Sequence, residues 1–156
     1  MSTLAPTMAE AIGRHLRMFA AHARQLADGL SEDEFWTRPY PYGNTIGHLV
    51  LHLTGNLNYY IGAQMAGSGY VRDREREFGD PSRAPKAQVL DAMDEAVAMA
   101  IRTIEAQSAE DWGRDYTAVR TDEPNRISMV LRCVEHFHHH VGQMIYLAKE
   151  HAGQRG

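Results

Sequence analysis

The residues of this chain best suited to chemistry are its histidines, four of which fall within five positions of the segment EHFHHHVGQ. They are His136, His138, His139 and His140. On a helix with 3.6 residues per turn, side chains four positions apart share a face, so the rings of His136 and His140 can reach a common point. His139 then points to the opposite face and is expected to be solvated, and His138 lies at the other edge. The run therefore contains one pair aimed at the core and two histidines aimed elsewhere.

A second pair with the same spacing, His48 and His52, lies on the flank of another apolar segment. Imidazole nitrogen binds zinc and other divalent metals, and two helices that face each other in a bundle bring such ligands together. The two pairs therefore predict a divalent-metal site. Asn56 and Tyr59 continue the same flank. Asn56 is a candidate to hold a ligand ring by a hydrogen bond, and Tyr59 either belongs to the core or overhangs the site.

The alternative to a metal site is a set of hydrogen-bonded histidines at the edge of the core, which is the role expected for His15, His22 and His138. Other kinds of site fit the sequence less well. The HExxH motif of zinc proteases is absent. A ferritin-like di-iron site needs carboxylates on several helices, but no Asp, Glu, Lys or Arg occurs from Pro39 to Val71. Cys133, the one cysteine, lies in an apolar helical pattern and is predicted to be a small buried hydrophobic residue rather than a nucleophile.

Four long segments with a helical period must position these residues. They are predicted to run from Pro6 to Ala27, from Asn44 or Thr45 to Met65, from near Pro85 through Ile104, and from Arg126 to His151. Short capped turns are predicted at SEDEFW and SAEDW, and no strand-like alternation of useful length occurs. The pattern predicts an all-α four-helix bundle in a single domain, residues 1–156. The loop between the second and third long helices is long enough to cross the bundle.

Charge and composition narrow the class of protein further. The formal net charge of -4 gives no basic face for nucleic acid. The N-terminus lacks the basic and apolar regions of a signal peptide, and polar residues interrupt the uncharged segment too often for a membrane helix. We therefore expect a cytoplasmic protein that acts on a small molecule, without nucleic-acid or membrane partners.

The segment RDREREFGD, in the loop after the second long helix, alternates charges of both signs. Most such runs are solvated loops, and this is the interpretation that we favour. The alternative is that Arg72, Arg74 or Arg76 approaches an anionic substrate at the end of the bundle.

Three segments resemble motifs of the DinB-like superfamily. NTIGHLVLHLTGN is similar to its second-helix motif, HFHHHVGQMIYL to its fourth-helix motif, and LSEDEFWTRPYPYGN to its connection between the first two helices. The resemblance implies a bundle with crossed connections, often a homodimer, that binds a divalent metal through His52, His136 and His140. His48 departs from the pattern because it lies one turn before the expected ligand. It would replace His52, join it as a ligand, or support the ligands from outside.

Two functions follow from this resemblance and from the histidines. The first is a metal-dependent enzyme, because members of the superfamily include S-transferases and isomerases that use bacillithiol, mycothiol or glutathione as a thiol co-substrate. Zinc or nickel is favoured over iron or manganese, Tyr59 would orient the substrate or shuttle a proton, and hydrolysis is the close alternative. The second is a metal-binding or stress-related dimeric bundle without catalytic activity.

Overall fold

The body of the protein consists of four long helical stretches, as the apolar periodicity predicts. We describe residues 4–79 and 81–156 of a computed structural model. The helices are α1 (Leu4–Asp28), α2 (Glu32–Trp36), α3 (Ile46–Leu57), α4 (Gln64–Ala66), α5 (Arg74–Gly79), α6 (Lys86–Glu105), α7 (Ala109–Gly113) and α8 (Arg126–Gln154). A π-helix, Asn58–Ala63, joins α3 to α4. The described residues contain no β-strand, and none of their helices combines the length and apolarity needed to span a bilayer.

The long helices are arranged as a bundle with crossed connections. α1 packs against α6 and α8, and α3 packs against the same two helices. Helices α1 and α3 therefore lie diagonally across the bundle, as do α6 and α8. This confirms the predicted crossed four-helix bundle. The loop between α3 and α6, which was long enough to cross, instead joins neighbours, and the crossings are made by the other two connections.

The ends of the helices follow local capping rules. The capping box predicted at Ser31 and Glu34 is present, and a second one is formed at Ser108 and Asp111. The Thr45 side chain accepts a hydrogen bond from the His48 backbone N–H and begins α3. Each cap satisfies backbone N–H groups that have no partner within the helix. Because only a few residue types can do this, the helix starts could be predicted from the sequence.

α8 runs three residues further than predicted, to Gln154. The buried His151 donates a ring N–H to the Thr37 carbonyl at 3.2 Å, and the Gln154 amide donates to the Pro39 carbonyl at 3.1 Å. These contacts with the connection after α2 stabilise a last turn that the apolar period alone does not specify.

Two elements were not predicted. The charged segment was expected to be a loop, but part of it forms α5, which packs against α3. The second long stretch was expected to be one regular helix, but it widens into the π-helix Asn58–Ala63. There the Tyr116 hydroxyl donates to the Tyr60 carbonyl at 2.8 Å and gives this oxygen a partner from outside the helix. Both departures lie beside the histidines discussed below.

Candidate metal centre

Three histidines from two helices converge between α3 and α8. His52 comes from α3, and His136 and His140 come from consecutive turns of α8. The Nε2 atom of His136 lies 3.0 Å from that of His52 and 3.1 Å from that of His140. Among the described residues, these three form the group able to hold a metal ion, with ligand atoms all within 4.8 Å of one another. Ligand nitrogens bound to one tetrahedral zinc ion are about 3.3 Å apart, so the spacing fits such an ion.

The outer ring nitrogens determine where the protons lie. Nδ1 of His52 is 2.7 Å from Glu77 Oε2, and Nδ1 of His140 is 2.7 Å from Gln143 Oε1. Because carboxylate and amide oxygens accept hydrogen bonds, both Nδ1 atoms carry the proton, and both Nε2 atoms present a lone pair to the centre. A proton on His136 Nε2 could satisfy only one of these two lone pairs, because a single N–H points at one acceptor, whereas a cation among the three rings satisfies both. The donor set therefore fits a divalent metal.

Burial keeps the two histidines of α8 neutral. It is the main cause that lowers the pKa of His136 to about 3, and the nearby His140 and His52 rings lower it further. Burial also lowers the pKa of His140 to about 4, although its hydrogen bond with Gln143 works against the shift. Imidazole binds metal in its neutral form, so both rings are ready to act as ligands at neutral pH.

Glu77 of α5 anchors His52, and the sequence interpretation missed this residue. Its side chain is only 5% exposed. Arg72 holds the same carboxylate with two hydrogen bonds, from Nε to Oε1 at 2.7 Å and from Nη2 to Oε2 at 2.9 Å. Burial alone would raise the pKa of Glu77, but the hydrogen bonds from His52 and Arg72 outweigh it and lower the pKa. An ionised carboxylate behind a metal-binding histidine fixes the orientation of the ring and strengthens it as a ligand.

The prediction that the charged segment is a solvated loop is therefore wrong for Arg72 and Glu77. The reason is that Arg72 and Glu77 form an ion pair beside α3, so neither charge has to face the solvent. Space for the carboxylate is left by Gly55, where an added Cβ would lie 2.1 Å from Glu77 Oε1. A glycine in the middle of the apolar helix, one turn from His52, is the one signal in the sequence that another group approaches closely there.

The remaining histidines lie outside this group of three. The His48 ring packs edge-on against Trp36, with ring centroids 5.5 Å apart. His139 is exposed, as expected. His15, His22 and His138 are exposed as well, so the prediction that they are hydrogen-bonded at the edge of the core is wrong, and His138 instead stacks on Phe19 with centroids 4.7 Å apart. His48 therefore belongs to the packing between α2 and α3 in this structure, and it is not brought into the metal-binding group.

Asn56 and Tyr59 lie on the side of the helix that the sequence suggested, but Asn56 does not hold a ligand ring. Asn56 is buried beside His52, but within the described residues its side chain makes no hydrogen bond to a ligand ring, and Glu77 takes that role. The Tyr59 hydroxyl accepts a hydrogen bond from the Val119 N–H at 3.3 Å. Its neighbour Tyr60, which sequence reasoning did not single out, donates from its hydroxyl to the Val119 carbonyl at 3.2 Å. The catalytic role suggested for Tyr59 stays a prediction.

A cavity of about 220 Å³ opens beside the histidines. Its wall includes His52, His136, Asn56, Tyr60 and Cys133, together with four arginines. A larger space of about 430 Å³ shares Tyr60 and three of these arginines with it and is also lined by Tyr59, Tyr70 and Val119. Burial raises the pKa of the Cys133 thiol to about 12, so Cys133 stays protonated, and the prediction that it is a buried hydrophobic residue is confirmed. A small molecule could reach the exposed side of the histidines through this cavity.

Comparison with known proteins agrees with the fold and the motifs. A family model described as the DinB superfamily matches residues 12–144. A crystal structure described as the conserved protein of locus from Enterococcus faecalis is similar with a TM-score of 0.75 and 16% identity, and the match covers 92% of this chain and 96% of that one. At this identity the likeness shows the fold alone, and no curated protein matches the chain. Because the family model covers most of the sequence, the resemblance predicted from the motifs is confirmed, and the chain belongs to the DinB superfamily.

Proposed function

We propose that this protein is a divalent-metal-dependent enzyme that joins a low-molecular-weight thiol to a small electrophilic substrate, as an S-transferase or isomerase. The observation that carries the proposal is the convergence of three Nε2 atoms, from His52, His136 and His140, beside an open cavity whose wall includes His52 and His136. A divalent cation held by neutral imidazoles keeps its full charge, and it supplies Lewis acidity that favours a thiolate over a thiol. Zinc or nickel is the favoured ion.

Two side chains hold the metal-binding rings through the ring nitrogens that face away from the metal position. Glu77 and Gln143 keep the Nδ1 protons of His52 and His140 in place, so the Nε2 atoms stay available as ligands. Cys133 lies in the cavity wall but stays protonated, and it is therefore a poor nucleophile. A thiol nucleophile would have to come from a co-substrate. This favours a thiol such as bacillithiol, mycothiol or glutathione.

The cavity also bears on the two alternatives. A structural metal in a non-catalytic bundle is normally closed by a fourth protein ligand. His48 was the candidate for that ligand, but its ring packs against Trp36. A site with three protein ligands beside a cavity favours catalysis, in which a position is left for a substrate. Hydrolysis uses the same site with water in place of the thiol, so only an activity assay separates it from transfer.

The first test is metal analysis of untagged protein purified without chelator. We expect about one divalent metal per chain in the wild type, because three neutral imidazoles bind such ions tightly. His136→Ala should lose the metal, and His138→Ala, the control from the same helix, should keep it. A wild-type content near zero, or full retention in His136→Ala, would show that the metal proposal is wrong.

The second test measures the reaction. Metal-loaded protein is mixed with each of the three thiols and a chromogenic electrophile, and the rate is compared with that of His136→Ala. Metal-dependent consumption of one thiol supports the transferase. Metal-dependent cleavage of an ester or amide without a thiol supports the hydrolase instead. Sedimentation of the same samples tests the homodimer that the resemblance implies.

A further inference from the structure

The cavity beside the three histidines is positively charged in a protein whose net charge is negative. Four arginines line it, and no Asp or Glu of the described residues does so, although the whole chain carries a formal charge of -4. Two of these arginines have partners: Arg72 binds Glu77, and Arg132 lies 3.2 Å from Glu123 Oε1. Within residues 4–79 and 81–156, Arg74 and Arg120 have no carboxylate within ion-pair distance. The Arg74 Cζ lies 5.5 Å from the centroid of the Phe78 ring. This cation–π contact leaves the N–H groups of Arg74 without an acceptor within these ranges, so both guanidinium groups can bind an anion.

A buried amide points to the same space. Asn56 lies one turn after His52 in α3, lines the cavity and is only 6% exposed. Its side chain has no hydrogen-bond partner in the described part of the chain. The amide atoms face the cavity rather than the sealed core. An unpartnered amide in the same cavity wall as the Arg74 and Arg120 guanidinium groups offers a hydrogen-bonding position to a polar ligand.

The backbone conformation and the neighbouring hydrogen bonds of Arg120 fix its position at the cavity. Its φ of 67° lies in the left-handed region, which non-glycine residues rarely adopt. The preceding residue, Val119, makes two hydrogen bonds through its backbone. Its N–H donates to the Tyr59 hydroxyl, and its carbonyl accepts from the Tyr60 hydroxyl. Both tyrosines belong to the π-helix that continues α3. The helix that carries His52 and Asn56 therefore also fixes the loop that brings Arg120 to the cavity.

We propose that this cavity binds a small organic anion. Its carboxylate or phosphate group would lie against Arg120, Arg74 and the Asn56 amide. Its apolar part would lie in the larger adjoining space, against Tyr59, Tyr70 and Val119. Guanidinium groups recognise both kinds of anion through paired hydrogen bonds. The inference rests on the proposed function only in taking this anion to be a substrate; the binding itself does not require the metal.

The proposal is tested by titrating metal-free and zinc-loaded protein with benzoate, phenyl phosphate and benzamide. Benzamide has the shape of benzoate without its charge. We expect at least one of the two anions to bind metal-free protein about 10-fold or more tightly than benzamide, with a shift of the Asn56 side-chain amide signals in the NMR spectrum. The stronger of the two anions identifies the preferred acidic group. Equal binding of all three compounds would overturn the proposal.

Variants separate recognition from folding. Arg120→Gly removes the guanidinium at a φ that suits glycine, so its melting temperature should stay close to that of the wild type while anion binding falls about 10-fold. Arg74→Gln should have a similar effect, and Arg14→Gln, on the exposed face of α1, is the control of equal charge change and should bind as the wild type does. Unchanged anion binding in both Arg120→Gly and Arg74→Gln would contradict the proposal.

The result also distinguishes this inference from the proposed function. If the anions bind as expected but no metal-dependent reaction is found, the anion site stands and the enzyme proposal fails. If thiol transfer is found but the anions bind no better than benzamide, the enzyme proposal stands and the anion site is wrong.

Discussion

The two sides of the metal centre are built in different ways. On the α8 side, His136 and His140 come from one helix, and the supporting Gln143 lies one turn further along the same helix. On the α3 side, His52 is only 4% exposed and is held by Glu77, which belongs to a separate short helix 25 residues later. One side therefore depends on helical spacing alone, and the other depends on a contact between distant segments and on a buried ion pair.

This difference predicts where the protein is fragile. A buried carboxylate and a buried guanidinium stabilise each other only as a pair, and removal of one leaves the other without compensation. A hydrogen bond between neighbours on a half-exposed helix face contributes much less. We therefore expect changes on the α3 side to affect both folding and metal binding, and changes on the α8 side to affect metal binding alone or nothing.

The largest effect is expected for Glu77→Ala. It leaves Arg72 buried without its carboxylate and His52 without its acceptor, so the free energy of unfolding of the metal-free protein should fall by about 3–5 kcal/mol. The affinity for zinc should fall about 10–100-fold, because the His52 ring loses its support. Urea unfolding and competition with a zinc chelator measure the two quantities.

The matched variant on the other side is Gln143→Ala, which removes the acceptor for His140. Its unfolding free energy should stay within about 1 kcal/mol of the wild type, since the hydrogen bond is exposed to solvent. Equal losses of stability in Glu77→Ala and Gln143→Ala would show that the two sides are not built as differently as their contacts indicate.

Two glycine substitutions are expected to act in opposite directions. At Gly55 a Cβ would lie 2.1 Å from Glu77 Oε1, so Gly55→Ala must displace the carboxylate and should cost about 1–3 kcal/mol. At Gly142, in the interior of α8, a Cβ would meet no atom of the described residues within 4 Å. Gly142→Ala should therefore stabilise the protein by about 0.5–1 kcal/mol, because alanine favours the helix. Thermal unfolding of the metal-free variants measures both signs, and destabilisation by Gly142→Ala would contradict the open space at that position.

The same division explains how much of the molecule could be predicted from its sequence. The four long helices, their caps and the orientation of His136 and His140 follow from periods and spacings within single segments. The His52 side could be predicted only in part. The ring was identified from its spacing and from the family resemblance, but the group that holds it lies in a segment whose alternating charges are typical of a solvated loop.

The π-helix could not be predicted for a related reason. Nothing in the residues of Asn58–Ala63 distinguishes them from a regular helix, because the widening depends on partners that come from far along the chain. Tyr116, 56 residues after Tyr60, donates to the Tyr60 carbonyl. The Val119 N–H donates to the Tyr59 hydroxyl, and the Val119 carbonyl accepts from the Tyr60 hydroxyl. Periodicity reports which face of a helix is buried, but it carries no information about such long-range hydrogen bonds.

Tyr116→Phe tests this distant support with a smaller change. It removes the hydroxyl that donates to the Tyr60 carbonyl and leaves the ring in the core. The loss of one buried hydrogen bond should lower the free energy of unfolding by about 1–2 kcal/mol, with little effect on zinc affinity since none of the ligands moves. A large loss of zinc affinity would instead show that the π-helix and the metal-binding histidines are coupled more closely than their separate contacts suggest.

The smallest effect is expected for His139→Ala, although it lies in the densest run of histidines. Its ring is exposed on the far side of α8, and within the described residues its one hydrogen bond is with the Gln143 amide, 3.2 Å away. Stability should change by no more than about 0.5 kcal/mol, and the metal content should stay that of the wild type. The neighbouring His140→Ala removes a ring whose Nε2 is 3.1 Å from that of His136, and it should lose the metal. If His139→Ala lost the metal as well, the helical spacing would have assigned the wrong rings of this run to the centre, and the division between the two sides would have to be drawn again.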